Sequence, residues 1–456
     1  MSGIFGAYSK TRKPVLEEVY LGLYALQHRG QESAGIAWID GGRVHAAKGI
    51  GLLHNAIEQQ NLAAGTAYYA IGHVRYTPLL GSQIHNVLPI GANYARGPVA
   101  ISHDGRVTNL PELTKQLEMR GAIFQSSTDS EAILHLMAQK SHMQPLDALV
   151  DALRRLKGSY STAVMLDGCL VAARDIWGFK PLVVGEYDGT YYVASESCAL
   201  DIVGARLIRD VEPGEILVID DRGMRSLRVN HGSCCRGMRC SFEYVYTARP
   251  DSIIDGRSVY EARKEMGRRL AAKSPCNGAD MTAGMPDSGT IAAIGYAEKS
   301  KIPLEMGVVR NRYIGRTFIQ PTQKVRELGV KIKLNPISEV FNGKKTVVVD
   351  DSIVRGTTAE CVVSMIRNSG ASEVHLRIAS PPVLHQCKYG IDTRKEETLA
   401  AVRMTLEELC RKVGADSLNY LSEEDLIAAI GLPEDQLCTA CFTGKYLPEN
   451  DLKEGA

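Results

Sequence analysis

Neither sign of charge is in excess in this chain: 53 Lys and Arg stand against 52 Asp and Glu, a formal net charge of +1. No global field therefore draws it to nucleic acid or to an anionic membrane. Apolar runs are short, and none reaches the roughly 18 residues that a membrane-spanning helix needs. The opening residues, Met-Ser-Gly-Ile-Phe-Gly, have neither the basic region nor the apolar stretch of a secretory leader, so a cytoplasmic location is expected. Internal repeats and low-complexity tracts are missing as well. The 11 cysteines are odd in number and scattered, which argues against a disulfide framework and leaves metal binding open. What remains is an ordinary globular composition, 45% hydrophobic and 23% charged over 456 residues. That length suits roughly two to four domains, each with its own core.

Apolar spacing predicts helices at Val15–Gly30 and Glu131–Ala138. Short alternating or apolar pieces at Ser33–Ile39, Thr66–Val74, Val99–Ser102, Ser161–Val171 and Tyr191–Ser195 predict strands. Clustered strands of this kind suggest an α+β first domain. Between Val229 and Arg239 the pattern breaks into a polar, Gly-bearing stretch, a plausible linker. Beyond it, strand and helix alternate. Thr346–Asp350, a helix from about Thr357 to Asn368, and Glu373–Ile378 make a βαβ unit, the signature of a helix-covered parallel sheet. Helices at Leu406–Val413 and Glu424–Ile430 follow.

Chemistry concentrates in Val347–Thr358, VVVDDSIVRGTT. A buried strand ends in Asp350 and Asp351, and a small-residue loop leads into a helix. Backbone N–H groups at such a loop and helix N-terminus favour a phosphate. Ser352, Thr357 and Thr358 add hydroxyl donors, and Gly356 allows close approach of the backbone. The paired carboxylates suit ribose hydroxyls or a Mg²⁺ carried by a diphosphate. Two aspartates alone would more often be a helix-capping pair; the twelve-residue string is far more specific.

The string resembles the phosphoribosyl pyrophosphate (PRPP) loop of type I phosphoribosyltransferases. More narrowly, it is similar to that of the glutamine phosphoribosylpyrophosphate amidotransferase family. The likeness extends to Gln31–Ile36, Val193–Asp201, Phe242–Asp255 (FEYVYTARPDSIID), Gly284–Tyr296 (GMPDSGTIAAIGY), Arg310–Gln320, Lys333–Asn335 and Phe442–Tyr446. It implies an Ntn-type glutaminase sandwich over residues 2–230 and a type I phosphoribosyltransferase domain with a helical tail over 240–456. It also implies the reaction: ammonia, taken from glutamine, displaces pyrophosphate from PRPP to give 5-phosphoribosylamine, opening purine synthesis. By the same resemblance, Ser288, Asp350 and Asp351 are the Mg²⁺–PRPP positions. Asn311, Arg312, Tyr313 and the basic segment Lys324–Lys333 correspond to a loop that closes over PRPP.

The first domain departs from that pattern. The family's nucleophile is an N-terminal cysteine, and Ser2 stands at its place. A hydroxyl is the weaker nucleophile, although serine serves in other Ntn hydrolases. The family's His-Asn-Gly oxyanion motif reads His103-Asp104-Gly105 here. Losing one oxyanion donor costs roughly a hundred- to thousandfold in rate. A carboxylate in its place would repel the developing charge by about 4 kcal/mol at roughly 4 Å and an effective dielectric near 20. After Arg75-Tyr76 the chain continues Thr77-Pro78-Leu79-Leu80, without the family's Thr three residues beyond the Arg. The glutamine anchors, Arg75 for the carboxylate and Asp129 for the amine, are kept. Glutamine hydrolysis is therefore expected to be absent or very slow, with ammonia arriving free or from a partner.

Cys438-Thr439-Ala440-Cys441 is a CxxC, a moderate metal signal by itself. The contexts of Cys240, Cys387, Cys438 and Cys441 resemble those of the four ligands in the [4Fe–4S] branch of the family, with zinc as the chemical rival. Cys234 and Cys235 are read as non-ligands, and Cys169, Cys198, Cys276, Cys361 and Cys410 as core or surface residues. Family likeness further implies a homotetramer and inhibition by purine nucleotides. Three alternatives stay open: a conventional glutamine-dependent enzyme, a non-catalytic PRPP- or nucleotide-binding regulator, and a phosphoribosyltransferase that uses a different amine.

Overall fold

In a computed structural model, residues 1–58, 62, 66–76, 83–229, 237–311, 332–393 and 395–447 are described. The first strand, β1 (Ser2–Ser9), sets the architecture of the N-terminal half. Ile4 and Tyr8 face one side, Phe5 and Ala7 the other, and all four are wholly buried. A strand apolar on both faces needs a cover on both. One cover is the helix Leu16–Ala25, whose Val19 and Leu23 meet Phe5 and Ala7. Gly22 makes that approach possible, because a Cβ there would lie 2.4 Å from the Phe5 ring. The other cover is a second sheet.

In chain order the strands continue as β2 (Ser33–Asp40), β3 (Arg43–Ile50), β4 (Tyr69–Arg75), β5 (Ile90–Tyr94), β6 (Gly97–Val107) and β7 (Gly158–Leu166). Then come β8 (Cys169–Arg174), β9 (Val183–Tyr187), β10 (Thr190–Ala194), β11 (Arg206–Asp210), β12 (Glu215–Asp220) and β13 (Gly223–Arg228). They form two sheets, ordered β11-β9-β10-β1-β4-β2-β3 and β13-β12-β8-β7-β6-β5. Ile4, Tyr8, Ile71, Met165, Leu170 and Leu217 fill the space between them. Helices Leu110–Glu118, Asp129–Ala138 and Pro145–Arg154 cover the outer face of the second sheet. The result is a four-layer helix–sheet–sheet–helix sandwich.

The second half holds a parallel sheet of Met281–Gly284, Lys345–Asp350, Glu373–Ile378 and Ser417–Tyr420, in that spatial order. Helices Val259–Lys273 and Ser288–Ser300 pack on one face, and Thr357–Asn368 with Leu406–Val413 on the other. The βαβ unit lies where its pattern predicts. Two expectations shift. Val15–Gly30 is a helix only to Ala25, followed by a 3₁₀ turn at Gln27–Arg29. Ser161–Val171 is a hairpin, β7 and β8, which turns at Gly168 with φ +73°. Among the described residues, no helix is long and apolar enough to cross a membrane.

Candidate functional sites

Antiparallel pairing sets Ser2 of β1 opposite Arg75 of β4. Both therefore sit at one end of the first sheet. Arg75 donates to the Asn86 carbonyl at 2.8 Å; burial lowers its pKa, and Asp129 acts against that shift. Asp129 opens the helix Asp129–Ala138 and accepts the Val107 N–H at 2.7 Å. From the second sheet, β6 contributes Asp104 and Gly105. Gly105 has φ +137°, and a Cβ there would lie 2.3 Å from the Ser159 carbonyl oxygen. The residues singled out in the first domain thus converge, except for Thr77–Leu80, which lies outside the described residues.

Asp104 does not stand bare in this pocket. Its Oδ2 accepts from Arg29 Nη2 at 3.2 Å, and both side chains are buried. Arg29 also donates to the Ser2 carbonyl at 2.7 Å, to Glu196 at 2.6 Å and to Glu243 at 3.0 and 3.1 Å. Lys180 Nζ reaches Glu243 at 2.9 Å. Burial alone would raise the Asp104 pKa; Lys180 and Arg29 outweigh it and hold the carboxyl below its usual range. The repulsion expected of Asp104 is thus compensated from the inner side, while the group stays ionised. Arg29, Lys180, Glu196 and Glu243 escaped sequence reasoning. Their signal was a charge inside an apolar string, as in VASESCALD and FEYVYTA, since an unpaired buried charge is too costly to keep.

In the second half, two helix N-termini meet at the C-terminal ends of adjacent parallel strands. Thr357 begins a helix after Gly356, which has φ +81°, and Ser288 begins the other. Gly289 sets their spacing, because a Cβ there would lie 2.5 Å from the Val349 carbonyl oxygen and 2.9 Å from Asp350 Cα. The Ser288 and Ser352 hydroxyls both donate to Asp351, and the Asp351 N–H donates to Asp350 Oδ1 at 2.9 Å. Burial, then the neighbouring Asp351, raises the Asp350 pKa well above the carboxylate range. Two desolvated carboxylates side by side repel each other, and a bound cation would relieve that repulsion. Arg312, Tyr313 and residues 324–331 of the basic segment lie outside the described residues.

Cys240, Cys387, Cys438 and Cys441 line one chamber at the junction of the two halves. Its other walls include Phe179, Phe242, Tyr389, Ile391 and Tyr446. Cys240 is placed by parallel pairing with Cys438, and Cys387 by the loop that follows Pro381 and Pro382. Burial pushes the Cys240 thiol up to about 12. Cys234 and Cys235 lie outside the described residues, and among those described all cysteines are free thiols.

Known proteins can be set beside this geometry. Residues 88–201 match the family described as a glutamine amidotransferase domain. The chain is 46% identical to the amidophosphoribosyltransferase of Methanocaldococcus jannaschii, with 98% of each covered. It is 45% identical to that of Bacillus subtilis, with 98% of this chain and 94% of the relative covered. The solved glutamine PRPP amidotransferase from B. subtilis, complexed with ADP and GMP, superposes with a TM-score of 0.90 at 44% identity, covering 97% of each chain. A structure described as the allosteric regulatory enzyme of purine biosynthesis gives a TM-score of 0.91 at 44% identity, covering 97% of this chain and 96% of that one.

Proposed function

The chain belongs to the amidophosphoribosyltransferase family, and we propose that within it the phosphoribosyl-transfer half works while the glutaminase half is impaired. The enzyme forms 5-phosphoribosylamine and pyrophosphate from PRPP, the first step of purine synthesis. The observation that carries the reading is the Asp350–Thr358 loop, set beside two helix N-termini, a setting that suits phosphate oxygens. Asp350, Asp351 and Ser288 are the residues to hold Mg²⁺, which neutralises the leaving diphosphate when bound. The chain's own part is positioning: Ser352, Thr357 and Thr358 orient the phosphates, and Gly356 lets the backbone approach them. Arg312 and Tyr313 are proposed to close over the substrate.

Ammonia is the proposed nitrogen source. Ser2 is a poor nucleophile at neutral pH, and Asp104 offers no amide N–H to an oxyanion. Arg75 and Asp129 are kept and feel each other's charge, which supports glutamine binding without turnover. Pyrophosphate release from PRPP tests this directly. Ammonium should support the reaction, and glutamine should add less than about one hundredth of that rate. Comparable rates from glutamine would overturn the impaired-glutaminase reading.

An iron–sulfur cluster is proposed for the four cysteines. The donor set fits, since four thiols line a chamber whose remaining walls are largely aromatic or aliphatic. No three metal-ligating side chains among the described residues are gathered around one point. Zinc on the same four thiolates is the chemical rival. Iron and sulfide in the purified protein would support the cluster; stoichiometric zinc without them would refute it. ADP and GMP accompany the B. subtilis structure, and purine nucleotides are proposed as inhibitors here, with a cytoplasmic homotetramer as the assembly.

A further inference from the structure

The sandwich domain, short of its glutamine chemistry, makes direct contact with the cysteine chamber. Phe179, in the loop between β8 and β9, is the first-domain side chain in the chamber wall. It is 1% exposed, and its ring stacks on Tyr389 with centroids 4.1 Å apart and planes 18° from parallel. The same loop holds the segment that carries Cys240: the Phe179 carbonyl accepts the Cys240 N–H at 3.1 Å, and the Trp177 carbonyl accepts the Met238 N–H at 2.5 Å. A second hold lies on β7. Ser159 Oγ, fully buried, donates to the Tyr389 carbonyl at 2.7 Å. Tyr389 is the second residue after Cys387, and its N–H donates to the Cys387 sulfur at 3.3 Å. One residue further, Gly390 seats on the Gly105 backbone, where a Cβ would come within 3.0 Å.

We propose that the sandwich domain is the cover of the cysteine chamber, latched by Ser159 to the Cys387 loop and by Phe179 to Tyr389. This rests on the four cysteines forming one metal centre, and it assigns work to a domain beyond glutamine hydrolysis. The latch acts on Cys387 because the two points fixed by β7 and β6, Tyr389 and Gly390, follow that cysteine by only two and three residues. Phe179 acts by filling: its ring occupies space that solvent or a small thiol reagent would need in order to reach Cys240 and Cys438. A buried serine whose hydroxyl serves another domain's carbonyl 230 residues away has no comparable local task, although the same oxygen also accepts the Arg106 N–H at 3.0 Å.

The test uses the full chain, with Ser159→Ala and Phe179→Leu beside the parent. Two readouts that need no enzymatic turnover are followed. One is the rate at which iron passes to a chelator under nitrogen. The other is alkylation of Cys240, Cys387, Cys438 and Cys441 by iodoacetamide in metal-free protein, mapped by mass spectrometry. Both variants should release iron at least fivefold faster and alkylate these four thiols at least fivefold faster, with the exposed surface otherwise labelled alike. Rates within twofold of the parent in folded Ser159→Ala would overturn the cover. A parent protein without iron or sulfide would overturn the cluster reading instead, and alkylation alone would then decide the cover. Phe179→Leu is the riskier variant for folding; Ser159→Ala removes a single oxygen and keeps the proposal testable.

Discussion

Asp104 illustrates how one atom type rearranges a pocket. Three buried carboxylates (Asp104, Glu196 and Glu243) face the buried cations Arg29 and Lys180, with the Met1 ammonium beside Asp104 and His28 2.8 Å from Glu196. Removing a cation from such a set is costly, about 3–5 kcal/mol for a broken buried pair. Arg29→Met should therefore destabilise the protein severely in urea unfolding. Asp104→Asn should also destabilise, though by less, because it gives up the ionised carboxylate that Lys180 and Arg29 hold below its usual range; a stability equal to or above the parent's would show that the cations gain nothing from Asp104. The pH dependence has a definite sign. Burial pushes all three acids up, and the cations outweigh it and leave their folded pKa values lowered. Stabilisation from the cluster is then present above about pH 4 and is lost as pH falls below the ordinary carboxylate range.

Among the elements, the strand–loop–helix at Lys345–Asn368 shows why some of this molecule is legible in sequence. Its strand is a β-branched run, its loop is contiguous, and its helix is amphipathic, so pattern and chemistry sit within two dozen residues. Ser417–Tyr420 carries no such mark: four residues of mixed polarity become a strand only through pairing with Glu373–Ile378. The charge cluster was hidden for a similar reason, since Arg29 and Glu243 are 214 residues apart and topology alone brings them together. Gly289 is legible within GMPDSG, yet its reason is visible only in three dimensions. Gly289→Ala should push the Ser288 helix off the Asp350 strand, because the added Cβ would meet Val349 and Asp350 backbone that cannot swing aside. The KM for PRPP should rise tenfold or more while the melting temperature moves by only a few degrees. An unchanged KM would show that this spacing does not matter to the substrate.

At the scale of the whole molecule, the two halves are joined by a buried ion pair. Arg174 of β8 donates through Nη1 and Nη2 to Asp255 at 2.9 Å each, and Arg239 lies 3.3 Å from the same carboxylate. Asp255 also donates its N–H to Asp210 Oδ1 at 2.8 Å, which holds a second carboxylate beside the first. Burial, then the charge of Asp255, pushes the Asp210 pKa up to about 6. Burial does the same to Asp175, also to about 6, despite N–H donors from Tyr160, Trp177 and Gly178. Both folded values exceed the unfolded one, so the folded state holds more protons between about pH 4 and 6. Stability should therefore fall as pH rises through that window, opposite to the effect of the Arg29 cluster. Asp210→Asn keeps an acceptor for the Asp255 N–H and removes one of the two protons responsible. Calorimetric melting of the full chain from pH 4.5 to 7.5 should show the decline roughly halved, with a gain at pH 7 of no more than about 3 kcal/mol. Asp255→Asn makes the reverse case, since Arg174 loses its ionised partner. Part of that loss should be recovered as Asp210, freed from a like charge, ionises in its place. A decline unchanged in Asp210→Asn would mean that the junction does not carry the titration, and that Arg174 and Asp255 are balanced without it.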